Sequence, residues 1–314
     1  MPASWSEKEI AGTDWFSSFL KRHSKLSLRT PEATSIASAT AFNKTNVSEF
    51  FTKLAEVMDR HMFDACSIWN VDETGVVTVV KLKNGVAVTG VKQIGSLTSS
   101  GREQLVTLCV AVSASGNTVP RFLVYPRVNL RDHFPTGAPT DSEGTAPLSG
   151  WMTKDNFLLF LKNCVQHVKS TKDRPVLILL DNHYSHLSLD ALEYAKENGI
   201  VMLSFPPHCS HRLQPLDLSV FGPLKRKLSV SQSKWLRNHP GKPVSIYDIA
   251  GILCEPWKET LTMSNICSGF QKVGIVPFNR NIFTDEDFMP ADVADRPLEA
   301  GSVNADSHTV AVPV

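Results

Sequence analysis

The sequence predicts an α/β fold, and three observations predict it. Val176–Leu180 is a continuous apolar run, the pattern of a strand buried on both faces. Residues 188–198 read as a helix closed by Asn198-Gly199 and followed by the apolar stretch Ile200–Phe205, a strand–helix–strand unit that is right-handed by default. Residues 66–125 alternate short apolar runs with turn residues, as an antiparallel meander does.

Composition bounds the rest. A chain of 314 residues, 42% hydrophobic and 20% charged, has room for a full core and sits within the globular norm. Its net charge of +1 exerts no global pull on a polyanion, so nucleic-acid binding has to come from local patches. The cysteines, Cys66, Cys109, Cys164, Cys209, Cys254 and Cys267, include no Cys-x-x-Cys pair. Free thiols in a reducing compartment fit that spacing better than disulfides or a cysteine zinc site. The N-terminus lacks the apolar core of a signal peptide, and Val176–Leu180 is far too short to span a bilayer. An intracellular protein with no membrane insertion is expected.

In chain order, residues 13–22 read as a short helix capped by Thr13, with Trp15, Phe19 and Leu20 on one face. Lys21, Arg22, Lys25 and Arg29 follow it, which suits either phosphate contacts or a solvated basic face. Pro31 to Lys44 reads as a linker, after which Asn46 caps an amphipathic helix with Val47, Phe50, Phe51, Leu54 and Met58 on its buried stripe. An apolar strand then ends in Asp72 and Glu73, with Thr74-Gly75 as a turn. Strands at Val86–Val91, Gln104–Ser113 and Val119–Tyr125 follow, the last two joined by a turn at 114–117, and residues 126–150 read as a long loop beside a site.

Thr153 caps a helix carrying Phe157, Phe160, Leu161, Cys164 and Val168, which leads into the buried strand. Pro215 falls in the first turn of a later helix whose apolar side is Leu216, Val220, Phe221, Leu224 and Leu228, with Gly222-Pro223 as a potential kink. Ser245 caps another helix, Met263–Val273 forms one more, and the acidic tail beyond residue 283 is expected to be disordered.

With the strands ending in Asp72 and Asp181 running parallel, both acids stand at carboxyl ends, the edge where open α/β sheets build sites. Asp217, at a helix start, returns to the same edge, and the helix dipole favours its ionised form. Taken singly, an Asp at a strand end or helix start is usually a cap. Three carboxylates together repel unless cations sit among them, and hard oxygen donors select Mg²⁺ or Mn²⁺ over zinc. Two such ions, about 3.5–4 Å apart, can activate one oxygen of a phosphodiester reaction and stabilise the other. Glu73 falls on the opposite face if its strand continues, and so takes no metal role. His183 with His186, and His208 with His211, have chelating spacings without cysteine partners; they fit better as groups that orient the acidic site or touch phosphate.

Three blocks carry a resemblance: Asn70-Val-Asp-Glu-Thr-Gly75, Leu180-Asp-Asn-His-Tyr-Ser-His186 and Pro206-Pro-His-Cys-Ser-His-Arg-Leu-Gln-Pro-Leu-Asp217. In this order and spacing the chain resembles DDE superfamily transposases of the pogo/Tigger type, with their jerky-like and centromere protein B-like relatives. Residues 11–23 resemble the tail of that family's helix-turn-helix domain, and Phe270–Asn279 its closing motif. The resemblance implies an RNase H-like core with a mixed five-stranded sheet flanked by helices. It implies catalytic, metal-binding roles for Asp72, Asp181 and Asp217 around two Mg²⁺ (or Mn²⁺) ions, with Asp72 shared by both. It also implies DNA as the partner, a homodimer, no small-molecule cofactor and a nuclear location.

The expected organisation is a helix-turn-helix remnant at 1–30, a linker and amphipathic helix at 31–60, a nuclease domain at 61–283 and an acidic tail at 284–314. Arg212, Lys225, Arg226, Lys227, Lys234 and Arg237 surround Asp217 in sequence, as a phosphate track or a solvated helix face. Two functions compete. One is an endonuclease and strand transferase; the other is a transposase-derived DNA- or chromatin-binding protein that no longer transposes, favoured by the shortened N-terminal helices.

Overall fold

The computed structural model describes residues 13–28, 35–79, 103–127, 142–146 and 150–294. The chain divides into two compact units, Met1–Ser35 and Ile36–Val314. In the first, helix α1 (Thr13–Arg22) stacks Trp15 on Phe19, ring centroids 5.2 Å apart, and Phe19 approaches His23. Lys21, Arg22 and Lys25 are exposed, and Arg29 lies outside the described residues.

The second unit takes in residues that the sequence sets apart as a linker and a lone helix. Helix α2 (Ile36–Ala41) is followed by α3 (Lys44–His61), whose N-cap is Asn43 rather than Asn46: the Asn43 side chain accepts the Asn46 N–H at 2.9 Å. Val47, Phe50, Phe51 and Leu54 of α3 are buried in the main core, as their spacing predicts.

Strand β1 (Ile68–Val77) is longer than expected. Thr74-Gly75 is not a turn; it continues the antiparallel ladder with β2 (Leu105–Ser113), Gly75 opposite Thr107. The 114–117 turn follows, then β3 (Phe122–Val124), which is shorter than predicted. The strand predicted at Val86–Val91 lies outside the described residues. Within the stretch read as a long loop, β4 (Glu143–Thr145) pairs parallel with β3. The sheet therefore has six strands rather than five, in the order β4-β3-β2-β1-β5-β6. Its parallel half comprises β5 (Val176–Leu180) and β6 (Ile200–Ser204).

Helices cover both faces. Helix α4 (Lys154–Val168), capped by Thr153 as predicted, packs with α5 (Leu189–Glu197) over one face, burying Phe157, Phe160, Leu161, Ala191 and Ala195 against Val71, Ile178 and Leu180. On the other face lie α3, the short helix α6 (Ser210–Leu213), α7 (Gly222–Asn238), α8 (Ile246–Ile252) and α10 (Met263–Val273), with α9 (Cys254–Thr260) between the last two in sequence. Strand β1 alternates strictly: Ile68 and Val76 join this second cluster, Trp69 and Val71 the first.

Just before α7, a π-helical turn spans Asp217–Phe221, where the sequence suggests a kink at Gly222-Pro223. Pro223 brings no backbone N–H to the ladder, and the wider turn takes up the register. Gly269 of α10 makes this possible, since a Cβ there would meet the Pro215 carbonyl at 2.6 Å. Ten residues of the tail expected to be disordered form α11 (Asp285–Ala294), which buries Phe288 against the ring of Phe42. Apolar Phe288 and Ala291 override the acidic composition there.

Candidate active site

Strands β1 and β5 run parallel with Asn70 opposite Leu179. Continuing that register by one pleat brings Asp72 level with Asp181, at the carboxyl edge of the parallel pair. Asp72 still belongs to β1, opposite Val110, whereas Asp181 is the first residue after β5. Asp72 is buried, Asp181 is partly exposed, and Asp217 is exposed at the opening of the π-helical turn.

A pair of buried amides carries Asp217 to this edge. Asn70 Nδ2 donates to the Leu179 carbonyl at 3.0 Å and to Gln214 Oε1 at 2.7 Å. Gln214 Nε2 donates to the Val71 carbonyl at 3.2 Å, and the Leu216 N–H donates to Asn70 Oδ1 at 3.2 Å. Both amides are fully buried, so each bond replaces water that cannot reach them. The segment before Asp217 is thereby sewn to β1 and β5. Sequence reasoning gives these two residues no role, although both stand inside the blocks that carry the family resemblance.

The electrostatics report the outcome. Burial first, then the charges of Asp217 and Glu73, hold the Asp72 carboxyl well above its usual range, while a hydrogen bond from Gln214 acts the other way. The charged side chains acting on Asp72 are thus both acids.

Asp181 is treated differently. Its Oδ1 lies 2.9 Å from His186 Nδ1 and accepts the His183 N–H at 3.1 Å. Burial alone raises this carboxyl, but the hydrogen bond and charge of His186 and the His183 N–H outweigh it and hold it below the usual range. His186 also reaches Glu73, Nε2 to Oε1 at 3.1 Å. Burial opposes the imidazolium, yet the two carboxylates push the His186 pKa up to about 10. Glu73 lies on the face opposite Asp72, as strand alternation predicts.

The other predicted residues separate. His183 is exposed and bonds Ser185 Oγ at 2.7 Å; His208 and His211 are both exposed, joined by the His211 ring and the His208 carbonyl. Arg212 lies over the rings of Phe42 and Phe283 and pairs with Asp287 of α11. Lys227 pairs with Glu259 at 2.7 Å and Lys234 faces Glu255 at 3.6 Å, while Lys225 and Arg226 are exposed on α7.

Among the described residues, no three His, Cys, Asp or Glu side chains converge closely enough to hold a metal ion. The donor chemistry nevertheless fits a hard divalent cation. The donors are carboxylate oxygens, and Asp72 is a buried acid that feels the charge of Asp217.

The family described as DDE superfamily endonuclease matches residues 102–270, more than half of the chain. The chain is 30% identical over 245 residues to MFS-type transporter clz9 of Cochliobolus lunatus, covering 74% of this chain and 26% of that protein. Among the described residues, no helix is long and apolar enough to cross a membrane. It is 27% identical over 180 residues to the pogo transposable element with KRAB domain of Mus musculus, covering 56% of this chain and 29% of that one. The chain thus spans less than a third of either relative. Its fold is similar to that in the crystal structure of the Mos1 strand transfer complex, with TM-score 0.51 and 14% identity, covering 94% of this chain and 73% of that one. On the family match, the chain belongs to the DDE superfamily endonucleases.

Proposed function

We propose that this chain is a metal-dependent DNA endonuclease and strand-transferase domain, hydrolysing a phosphodiester and then joining the freed 3′ hydroxyl to target DNA. The reading is supported by the β1–β5 register, which, continued past Leu179, sets Asp72 level with Asp181, and by the Asn70–Gln214 bonds together with the charge that Asp217 exerts on Asp72. Asp72, Asp181 and Asp217 would hold Mg²⁺ or Mn²⁺, with Asp72 shared. When bound, such ions supply an activated oxygen nucleophile and charge stabilisation at the leaving oxygen. The protein's own groups would do the rest: Asp72 would bind a cation in competition with its proton, His186 holds Asp181 toward its ionised form, and Lys225 and Arg226, exposed on α7, would take DNA phosphates. Lys21, Arg22 and Lys25 of the first unit have the same chemistry. A nuclear location and a homodimer accompany this reading, tested by a fluorescent fusion and by sedimentation.

The second reading, a transposase-derived DNA- or chromatin-binding protein without transposition, is favoured by a specific observation. No three ligand side chains converge among the described residues, and Arg212 and Lys227 are committed to ion pairs. A plasmid-nicking assay separates the two. The first reading predicts Mn²⁺-dependent nicking by the wild type that falls about a thousandfold or more in Asp72→Asn, several kcal/mol of lost stabilisation. Equal background nicking in both proteins supports the second.

A further inference from the structure

We propose that Glu73 and His186 are positioning residues that fix the carboxylate of Asp181, acting through one bridging imidazole; the inference rests on the metal-site reading above. Glu73 adjoins Asp72 in sequence, but the pleat turns it to the other face of the sheet. There it meets His186, whose other nitrogen meets Asp181. One strand therefore carries Asp72 on one face and, on the other, the support for Asp181.

The geometry is that of a clamp. His186 is 1% exposed, with its ring centroid 4.4 Å from that of Phe157, so packing fixes the ring. The ring nitrogens lie 2.9 and 3.1 Å from oxygens of Asp181 and Glu73, with Nδ1 also 3.3 Å from the Asp181 backbone carbonyl, so one ring orientation serves both acids. The His183 N–H donates to the same oxygen of Asp181, Oδ1. The His183 N–H and the ion pair with His186 both hold Oδ1 and so restrain χ2, which is otherwise broad for aspartate. Oδ2 has no hydrogen-bond partner among the described residues, and it is the oxygen left for an ion. Glu73 completes the clamp by holding the far side of the ring: Glu73 Oε1 is 3.1 Å from Nε2, with Cys109 Sγ at 3.8 Å behind it.

A buried ion pair that served stability alone would not affect metal binding. Calorimetric titration of the full chain with Mn²⁺ alone separates the roles. Glu73→Gln is isosteric at a position whose side chain is partly exposed, so it keeps the fold, as its thermal midpoint without metal verifies. We expect Mn²⁺ affinity to fall about 10–100-fold in Glu73→Gln and in His186→Gln. The double variant should bind no more weakly than His186→Gln, because both act through one ring. In the nicking assay kcat should fall with KM for plasmid unchanged. A folded Glu73→Gln that binds Mn²⁺ as tightly as the wild type overturns this inference and leaves the metal site standing. A wild type that binds no Mn²⁺ overturns both.

Discussion

Asp72, in β1, and Asp181, just past the end of the neighbouring β5, lie toward the same sheet edge, yet the protein surrounds them in opposite ways. Asp72 is buried among neutral amides and two acids, and its carboxyl is driven well above the usual range by burial and by Asp217 and Glu73. Asp181 is given an imidazolium and a backbone N–H, and is held below it. The difference shows where compensation is missing. Half of the edge is neutralised from within; the other half concentrates negative potential where a cation gains most.

The comparison predicts stability effects of opposite sign. Asp181→Asn strips His186 of one of its two acids and leaves a charge buried at 1% exposure short of a partner, so it should destabilise the metal-free protein by about 3 kcal/mol in urea unfolding. Asp72→Asn removes a repelled, buried carboxylate and should raise the metal-free thermal midpoint at neutral pH. If both changes destabilise equally, the contrast between the two acids is broken.

The pH dependence sharpens it. The His186 pKa is raised from 6.5 to about 10, so its contribution is fully present below about pH 6.5 and is lost as pH climbs toward 10. The groups facing it are Glu73, Asp181 and, ring to ring at 5.7 Å, His183. Asp72, also raised, adds in the same direction: its protonated form favours folding, and that contribution fades as pH rises. Unfolding free energy should therefore fall between pH 7 and 10 by an amount on the order of a few kcal/mol, and His186→Gln should flatten most of that slope.

The smallest of these effects concerns the lock that unites the two halves. Gln214→Ala leaves the buried Asn70 amide short of a partner, which should cost roughly 1–3 kcal/mol. It should also lower the Asp72-dependent nicking while leaving Asp181→Asn as destabilising as before. A loss of stability with unchanged nicking would mean that the amides hold the fold but not Asp217.

Much of this molecule is legible in its sequence, and the unread parts share a physical cause. Apolar runs and periodicities identify β5, β6, α3, α4, α5, α7 and α10, because one buried face imposes a spacing on each. The acids Asp72, Asp181 and Asp217 are visible from motif order. What pairs them is not. Asn70 and Gln214 are 144 residues apart, and Glu73 and His186 are 113 apart; no local pattern records such contacts. β4 is a three-residue edge strand with no apolar signature, and Thr74-Gly75 looks like a turn because only the ladder with β2 shows that it continues. Arg212 reads as a DNA contact from its basic neighbours; its packing on Phe42 and Phe283 and its pairing with Asp287 have no local signature.

The central claim, that the uncompensated side of this edge is a cation site, is tested most directly by anomalous diffraction from crystals of the full chain soaked in Mn²⁺. The account predicts an anomalous peak in contact with the carboxylates of Asp72 and Asp217 or Asp181. Crystals that hold Mn²⁺ elsewhere, with no peak at this edge, would contradict it.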